Sequence, residues 1–258
     1  MWTSYAITHV GKVRAVNEDA YLDRPDIGLW VVADGMGGHR GGAVASEAII
    51  AGLNRIEQVE TLTSFVEEVE VHLQQVNQQL MAMSVAQSET TGSTVAVFLA
   101  HERFGAYVWA GDSRVYQMRA GQLRRLTTDH SQVEVFVRLG LIDRSESANH
   151  PLSNIVTRAV GTHEVLNLDV DLIELQHGDR YLLCSDGLYR HVTDEEIKKF
   201  LALAPPVNVA RALLDLTLAR GAEDNVTVLV VEIDDPDRLA KPDPDMTFPN
   251  IPFDITRS

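Results

Sequence analysis

One cysteine, Cys184, is present in 258 residues, so no internal disulfide can staple the chain. The fold must rest on its apolar core, which suits a reducing, cytoplasmic setting. Basic residues are also scarce: 22 Lys and Arg face 37 Asp and Glu, for a net charge of −15. Phosphate contacts need Lys and Arg, so nucleic acid is excluded as a partner and anionic membranes are disfavoured. No apolar run approaches the roughly 20 residues of a membrane helix. The opening Met1-Trp2-Thr3-Ser4-Tyr5 lacks the basic and apolar regions of a signal peptide. His-x-x-x-His and paired-Cys spacings are missing too, which removes the usual zinc sites. An acidic chain that handled phosphate would need a local reversal of sign, and bound cations supply one.

What the chain does have is a conspicuous stretch, Leu29-Trp30-Val31-Val32-Ala33-Asp34-Gly35-Met36-Gly37-Gly38-His39. Five apolar residues predict a buried strand, which ends on a carboxylate followed by glycines. A carboxylate at the mouth of an apolar strand is costly to desolvate unless something positive meets it. Glycines let the backbone approach such a partner closely, so the stretch reads as a metal or phosphate site. It reads equally well as a tight hairpin turn, because Asp-Gly is a common turn pair.

At this length, with 45% apolar residues, one domain with a substantial core is expected. Strands are predicted over residues 5–10, 29–34, 93–100, 104–110, 114–118, 168–175, 181–184 and 226–233. Helices are predicted over 43–56, 133–139, 194–203 and 207–219. The clearest helix covers 62–83, where Leu62, Phe65, Val66, Val69, Leu73, Val76, Leu80 and Met83 recur at steps of three and four. Strands and helices come in runs, so the fold class is α+β with largely antiparallel sheet. Residues 142–161 are irregular and polar. From Asp234 onward Pro236, Pro242, Pro244, Pro249 and Pro252 sit among further aspartates, predicting a domain over 1–233 and an acidic, Pro-rich tail over 234–258.

Three later stretches repeat the first design. Gly111-Asp112 closes one apolar strand, Ser185-Asp186-Gly187 closes another, and Asp224-Asn225 immediately precedes the last. Four aspartates gathered at one sheet edge would repel each other without cations, and oxygen-only ligands suit Mg²⁺ or Mn²⁺. Two such ions about 3.5–4 Å apart can turn a shared water into a nucleophile.

The ordered set Arg14-x-x-Asn17-Glu18-Asp19, Val32-Ala33-Asp34-Gly35-Met36-Gly37-Gly38-His39, Thr91-Gly92-Ser93-Thr94, Gly111-Asp112-Ser113-Arg114, Ser185-Asp186-Gly187 and Asp224-Asn225-Val226-Thr227 resembles the PPM (PP2C-like) metal-dependent Ser/Thr protein phosphatases in their bacterial form. The resemblance implies a central antiparallel β-sandwich flanked by helices on both faces. It implies hydrolysis of phosphoserine and phosphothreonine by a metal-bridged hydroxide. Asp34 would bridge two Mn²⁺ or Mg²⁺ ions, with the Gly35 carbonyl on one of them. Asp186 and Asp224 would complete the second ion's shell, and Asp112 would serve a third, weaker ion. Glu18 and Asp19 would hold metal-bound waters, and Arg14 would clamp the substrate phosphate. Residues 142–161 would form the flap beside the site. Expected partners are phosphorylated proteins and a cognate Ser/Thr kinase, with the chain itself a monomer; a type VI secretion phosphorylation switch is one setting such proteins occupy.

Many eukaryotic members carry a histidine directly after the Asp-Gly pair as general acid. Here that position is Met36 and the nearest histidine is His39. Protonation of the leaving group and simple contact with substrate are both open to His39. Blander roles exist for others: Asp112 as a turn residue, Arg14 as an ion-pair partner of Glu18 or Asp19. A different chemistry shares the sequence, since Cys184 and Arg190 have the spacing of a cysteine-dependent phosphatase loop. That loop needs a thiolate and a cradle of N–H groups, and Asp186 inside the cradle would repel the dianion. A degenerate family member acting only as a binding module would be expected to lack metal aspartates; all four are present.

Overall fold

The structure, a computed structural model, describes residues 2–37, 41–87, 91–144, 146, 150–202 and 205–234. His39, parts of the flap and the tail from residue 235 lie outside these.

Among the described residues, eleven strands and six helices follow in chain order. The strands are β1 (Trp2–His9), β2 (Asp19–Arg24), β3 (Leu29–Gly37), β4 (Thr91–Ser93), β5 (Val95–His101), β6 (Phe104–Ala110), β7 (Arg114–Arg119), β8 (Gln122–Arg125), β9 (Asp169–Glu174), β10 (Arg180–Cys184) and β11 (Val226–Ile233). The helices are α1 (Gly41–Leu53), α2 (Leu62–Gln87), α3 (Gln132–Arg138), α4 (Asp186–Tyr189), α5 (Asp194–Leu201) and α6 (Pro206–Ala219). One sheet has the order β1-β11-β10-β7-β8 and the other β2-β3-β5-β6-β9, with β4 paired to β3. Every strand pairing is antiparallel.

Alternation along the strands builds three apolar layers. On β3, Leu29, Val31 and Ala33 face α1 and α2, while Trp30 and Val32 face the opposite sheet. On β10 and β11, Leu182, Cys184, Val226, Val228 and Val230 face α6, while Tyr181, Leu183, Leu229 and Val231 face inward. The result is helices, sheet, sheet, helices: the expected sandwich. Trp30, Phe98 and Tyr181 stack through its middle, with centroids 5.6 and 4.1 Å apart. Burying each such side chain contributes on the order of 2–3 kcal/mol.

The same two-residue period carries the inner face to the site. Two residues past Val32 comes Asp34, so a carboxylate takes the next inward position after two apolar ones. The strand does not end there. It continues to Gly37, because Gly35, Met36 and Gly37 pair with Ser93, Gly92 and Thr91. The hairpin turn is therefore replaced by a strand pairing, and the segment read as one strand over 93–100 divides at Thr94 into β4 and β5. Strand β2 was not expected; its acidic residues are inward-facing acceptors, with Asp23 taking the Ser4 hydroxyl at 2.6 Å and the Trp30 indole N–H at 3.1 Å.

Candidate metal and phosphate site

Five carboxylates meet at one open end of the sandwich, contributed by both sheets. The register places Asp19 of β2 directly opposite Asp34 of β3, a pairing that like charges disfavour. Asp19 is relieved by the other sheet: the Ser185 and Thr227 hydroxyls each donate to its Oδ2 at 2.7 Å. Burial still raises its pKa to about 7, with Asp186 and Asp224 pushing the same way against those two donors. This carboxylate is a stitch between the sheets.

The main chain of Asp34 is fixed tightly. Its N–H donates to the Thr94 hydroxyl at 3.2 Å, and its carbonyl accepts from the Ser93 hydroxyl at 3.0 Å and the Thr94 N–H at 2.8 Å. Its side chain gets no cationic partner among the described residues. Burial, then Asp19, Asp186, Asp112 and Asp224, hold its pKa well above the usual carboxylate range. Gly35 is required by packing: a Cβ there would lie 2.1 Å from the Gly42 carbonyl oxygen. The close approach inferred from the glycines is real, and its partner is the start of α1.

Asp112 follows β6 at a turn where Gly111 has φ +117°, and a Cβ on that glycine would sit 2.5 Å from Thr94 Cβ. The Tyr189 hydroxyl donates to Asp112 at 3.2 Å. Burial, then Asp186 and Asp129, push Asp112 up to about 7. Tyr189 lies against the Arg114 guanidinium, 3.4 Å from the ring centre, and Arg114 in turn forks onto Asp129 at 3.0 and 2.7 Å. Asp186 opens α4, and Gly187 lets that helix sit on Asn225, whose carbonyl oxygen would be 2.0 Å from an added Cβ. Arg190 pairs with Asp186 at 2.5 Å. Asp224, just before β11, pairs with Arg14 at 2.8 Å. Arg14 thus takes Asp224 as its partner, in place of the Glu18 or Asp19 pairing considered from sequence.

Glu18 reaches the start of α1, accepting from the Gly42 and Ala43 backbone, and burial raises its pKa. Asn225 anchors the loop that carries Arg14: its Oδ1 accepts from the Glu18 N–H, and its amide donates to the Val10 and Val16 carbonyls, at 2.8, 2.9 and 3.0 Å. That anchor was visible only as the neighbour of Asp224. Arg14, Glu18, Asp34, Gly35, Asp112, Asp186 and Asp224 all line one cavity of about 290 Å³, with Asn154 and Val156 of the flap at its edge.

Cys184 is far from such a role. It is fully buried in the α6-side core, and burial pushes its thiol upward, away from the thiolate a cysteine nucleophile needs. Arg190 serves Asp186 instead.

Among the described residues no three His, Cys, Asp or Glu side chains close around one point. Mg²⁺-type ions do not require that: they are held by one or two carboxylates, a carbonyl and waters. Crowded, buried oxygen donors that raise one another's pKa, with Asp34 lacking a cation, fit such ions.

Residues 9–213 match the family described as Protein phosphatase 2C. The chain belongs to the protein phosphatase 2C family. The serine/threonine phosphatase stp of Listeria monocytogenes is 35% identical, over 88% of this chain and 94% of its own. Serine/threonine protein phosphatase PstP of Mycobacterium tuberculosis is 36% identical over 88% of this chain, which spans only 44% of that longer relative. Among solved structures, PppA, a regulatory component of the type VI secretion system in Pseudomonas aeruginosa, superposes with a TM-score of 0.84 at 41% identity, covering 90% of this chain and 97% of that one. The catalytic domain of PstP in complex with two manganese ions gives a TM-score of 0.80 at 33% identity, over 91% of this chain and 99% of that one. The phosphatase 2C fold is thus present from β1 to β11, and the acidic end of the sandwich is where its ordered motifs converge.

Proposed function

We propose that this phosphatase 2C chain is a Mn²⁺- or Mg²⁺-dependent hydrolase of phosphoserine and phosphothreonine in proteins. The observation that carries the reading is the convergence of Asp34, Asp112, Asp186 and Asp224 on one cavity beside Arg14. When bound, divalent ions supply an acidified water and positive charge for the phosphoryl oxygens. Asp34 and the Gly35 carbonyl would hold the ions at the β3 side, Asp186 and Asp224 at the other, and Asp112 a third position. Glu18 and Asp19 would orient waters around them. Arg14 extends a half-exposed guanidinium over the mouth and would take the phosphate in a two-point grip. The relatives named for Ser/Thr phosphatases and the manganese-bound PstP domain support the metal and the substrate class.

No helix among the described residues is long and apolar enough to cross a membrane. We assign the protein to the cytoplasm, as a monomer that opposes a Ser/Thr kinase. Its similarity to PppA supports a type VI secretion setting.

The test is phosphate release from a phosphothreonine peptide in Mn²⁺, in excess EDTA, and after treatment with a thiol alkylator. Activity that needs Mn²⁺, resists the alkylator and disappears in Asp34→Asn is expected. Activity that survives EDTA would overturn the reading.

A further inference from the structure

We propose that Arg190 is a specificity-determining residue, a second guanidinium that selects phosphopeptides bearing an anionic side chain next to the phosphoresidue. The inference rests on the phosphatase reading and goes past it. Nothing in the metal or phosphate roles above uses Arg190.

The geometry is that of a shared wall. A groove of about 650 Å³ adjoins the metal and phosphate cavity, lined by Val13, Glu223 and His191. Arg14, Asn154, Arg190 and Asp224 line both spaces. A peptide whose phosphate enters the cavity therefore runs its neighbouring residue past Arg190. Arg190 is seated to stay there: it caps α4, its N–H donates to the Asp186 carbonyl at 3.1 Å, and α4 is locked on Asn225 through Gly187.

Charge decides what the groove takes. Its carboxylates are Glu223 and Asp224, and Asp224 is held by Arg14 at 2.8 Å. His191 accepts the Glu223 N–H through Nε2 at 3.4 Å. The only ion pair Arg190 makes among the described residues is with Asp186, through one of its terminal nitrogens. A guanidinium has five N–H donors in a planar fork, so most of its capacity is unspent. Asp186 is also the carboxylate assigned to a metal ion, and a carboxylate facing a divalent cation offers a guanidinium less field. With 32% of its side chain exposed, Arg190 can reach a ligand without leaving its seat. Val13, 69% exposed, gives the groove an apolar lip for peptide backbone and methyl groups. In a chain of net charge −15, Arg14 and Arg190 are the two cations lining the phosphate position, each beside one carboxylate, Asp224 and Asp186.

The anion could be a carboxylate or a second phosphate, and the test separates them. Three peptides carry a non-hydrolysable phosphonate in place of the phosphothreonine phosphate, flanked by alanine, aspartate or a second such phosphonate residue. Their binding to the Mn²⁺-loaded protein is read by fluorescence anisotropy. An anionic flank is expected to tighten binding by about five- to tenfold, the range of a charge-assisted contact at a partly exposed site. In Arg190→Gln that ratio falls to about one, and in Arg190→Lys it is intermediate. A larger ratio for the second phosphonate than for aspartate would name a second phosphate as the preferred neighbour. A ratio of one in the wild type, or one unchanged in Arg190→Gln, would overturn the proposal. So would a uniform weakening of all three peptides in Arg190→Gln, which would confine Arg190 to holding Asp186. Phosphate release from the hydrolysable alanine-flanked peptide, run on the same wild-type preparation, tests the phosphatase reading separately.

Discussion

Asp34 and Asp19 face each other across a strand pair; two hydroxyl donors relieve Asp19, and burial with the neighbouring carboxylates raises the pKa of both. Asp34→Asn keeps the shape and removes the repulsion. Its expected signature is twofold: the metal-free Tm rises, while both Mn²⁺-induced stabilisation and about 10³-fold or more of the turnover are lost. Thermal shifts with and without Mn²⁺, beside phosphopeptide kinetics, check both. Cys184 supplies a contrasting case. Its thiol lies in the α6-side core with 0% exposure, so an aromatic disulfide reagent is expected to modify it no faster than the protein unfolds. Rapid labelling of the native protein, with loss of activity, would reopen the thiol mechanism.

Among the elements, those whose side chains have one job were legible in the sequence. Helix α2 shows its apolar stripe, and β5, β6 and β11 show their β-branched and aromatic runs. Elements whose residues do two jobs were not. Strand β2 is written in acids because its inner face is polar, so alternation was masked. Strand β3 runs on through glycines that read as a turn, since pairing with β4 and the approach of α1 both need their lack of side chain. The site aspartates were legible through repetition: each stands beside an apolar strand. Tyr189 and Asn225 were not, because their roles depend on partners far along the chain; Arg190 was read only against Cys184, while its partner is Asp186, four residues earlier. The α1 contact is directly testable. Gly35→Ala places a methyl 2.1 Å from the Gly42 carbonyl oxygen and must shift backbone. A loss of about 1–3 kcal/mol in denaturant unfolding is expected, with weakened Mn²⁺ response.

At the scale of the whole molecule the acidic end sets a pH dependence. Folding lifts Asp19 and Asp112 to about 7, from the unfolded value of about 3.9. The folded state therefore binds protons more tightly, and its advantage is complete below about pH 4 and lost as pH rises through about 7. In EDTA the Tm is expected to be higher at pH 5.5 than at pH 8, and saturating Mn²⁺ should erase or reverse that difference. A metal-free Tm that climbs between those values would contradict the buried-carboxylate account.

The strand order carries a further consequence, for the growing chain. Strand β11 lies between β1 and β10, with Trp2 opposite Ile233 and His9 opposite Val226. Until β11 is synthesised, β1 has no neighbour in its sheet, and Asp224 cannot take its place beside Arg14. Pairing across such a separation closes late, after nearly everything before it has been made. A ribosome-bound intermediate would thus hold α1, α2 and their sheet while the catalytic end is still unbuilt. Competence for phosphate chemistry is therefore expected only once β11 has joined its sheet, because Asp224 and Asn225 reach the loop of Arg14 and Glu18 with it.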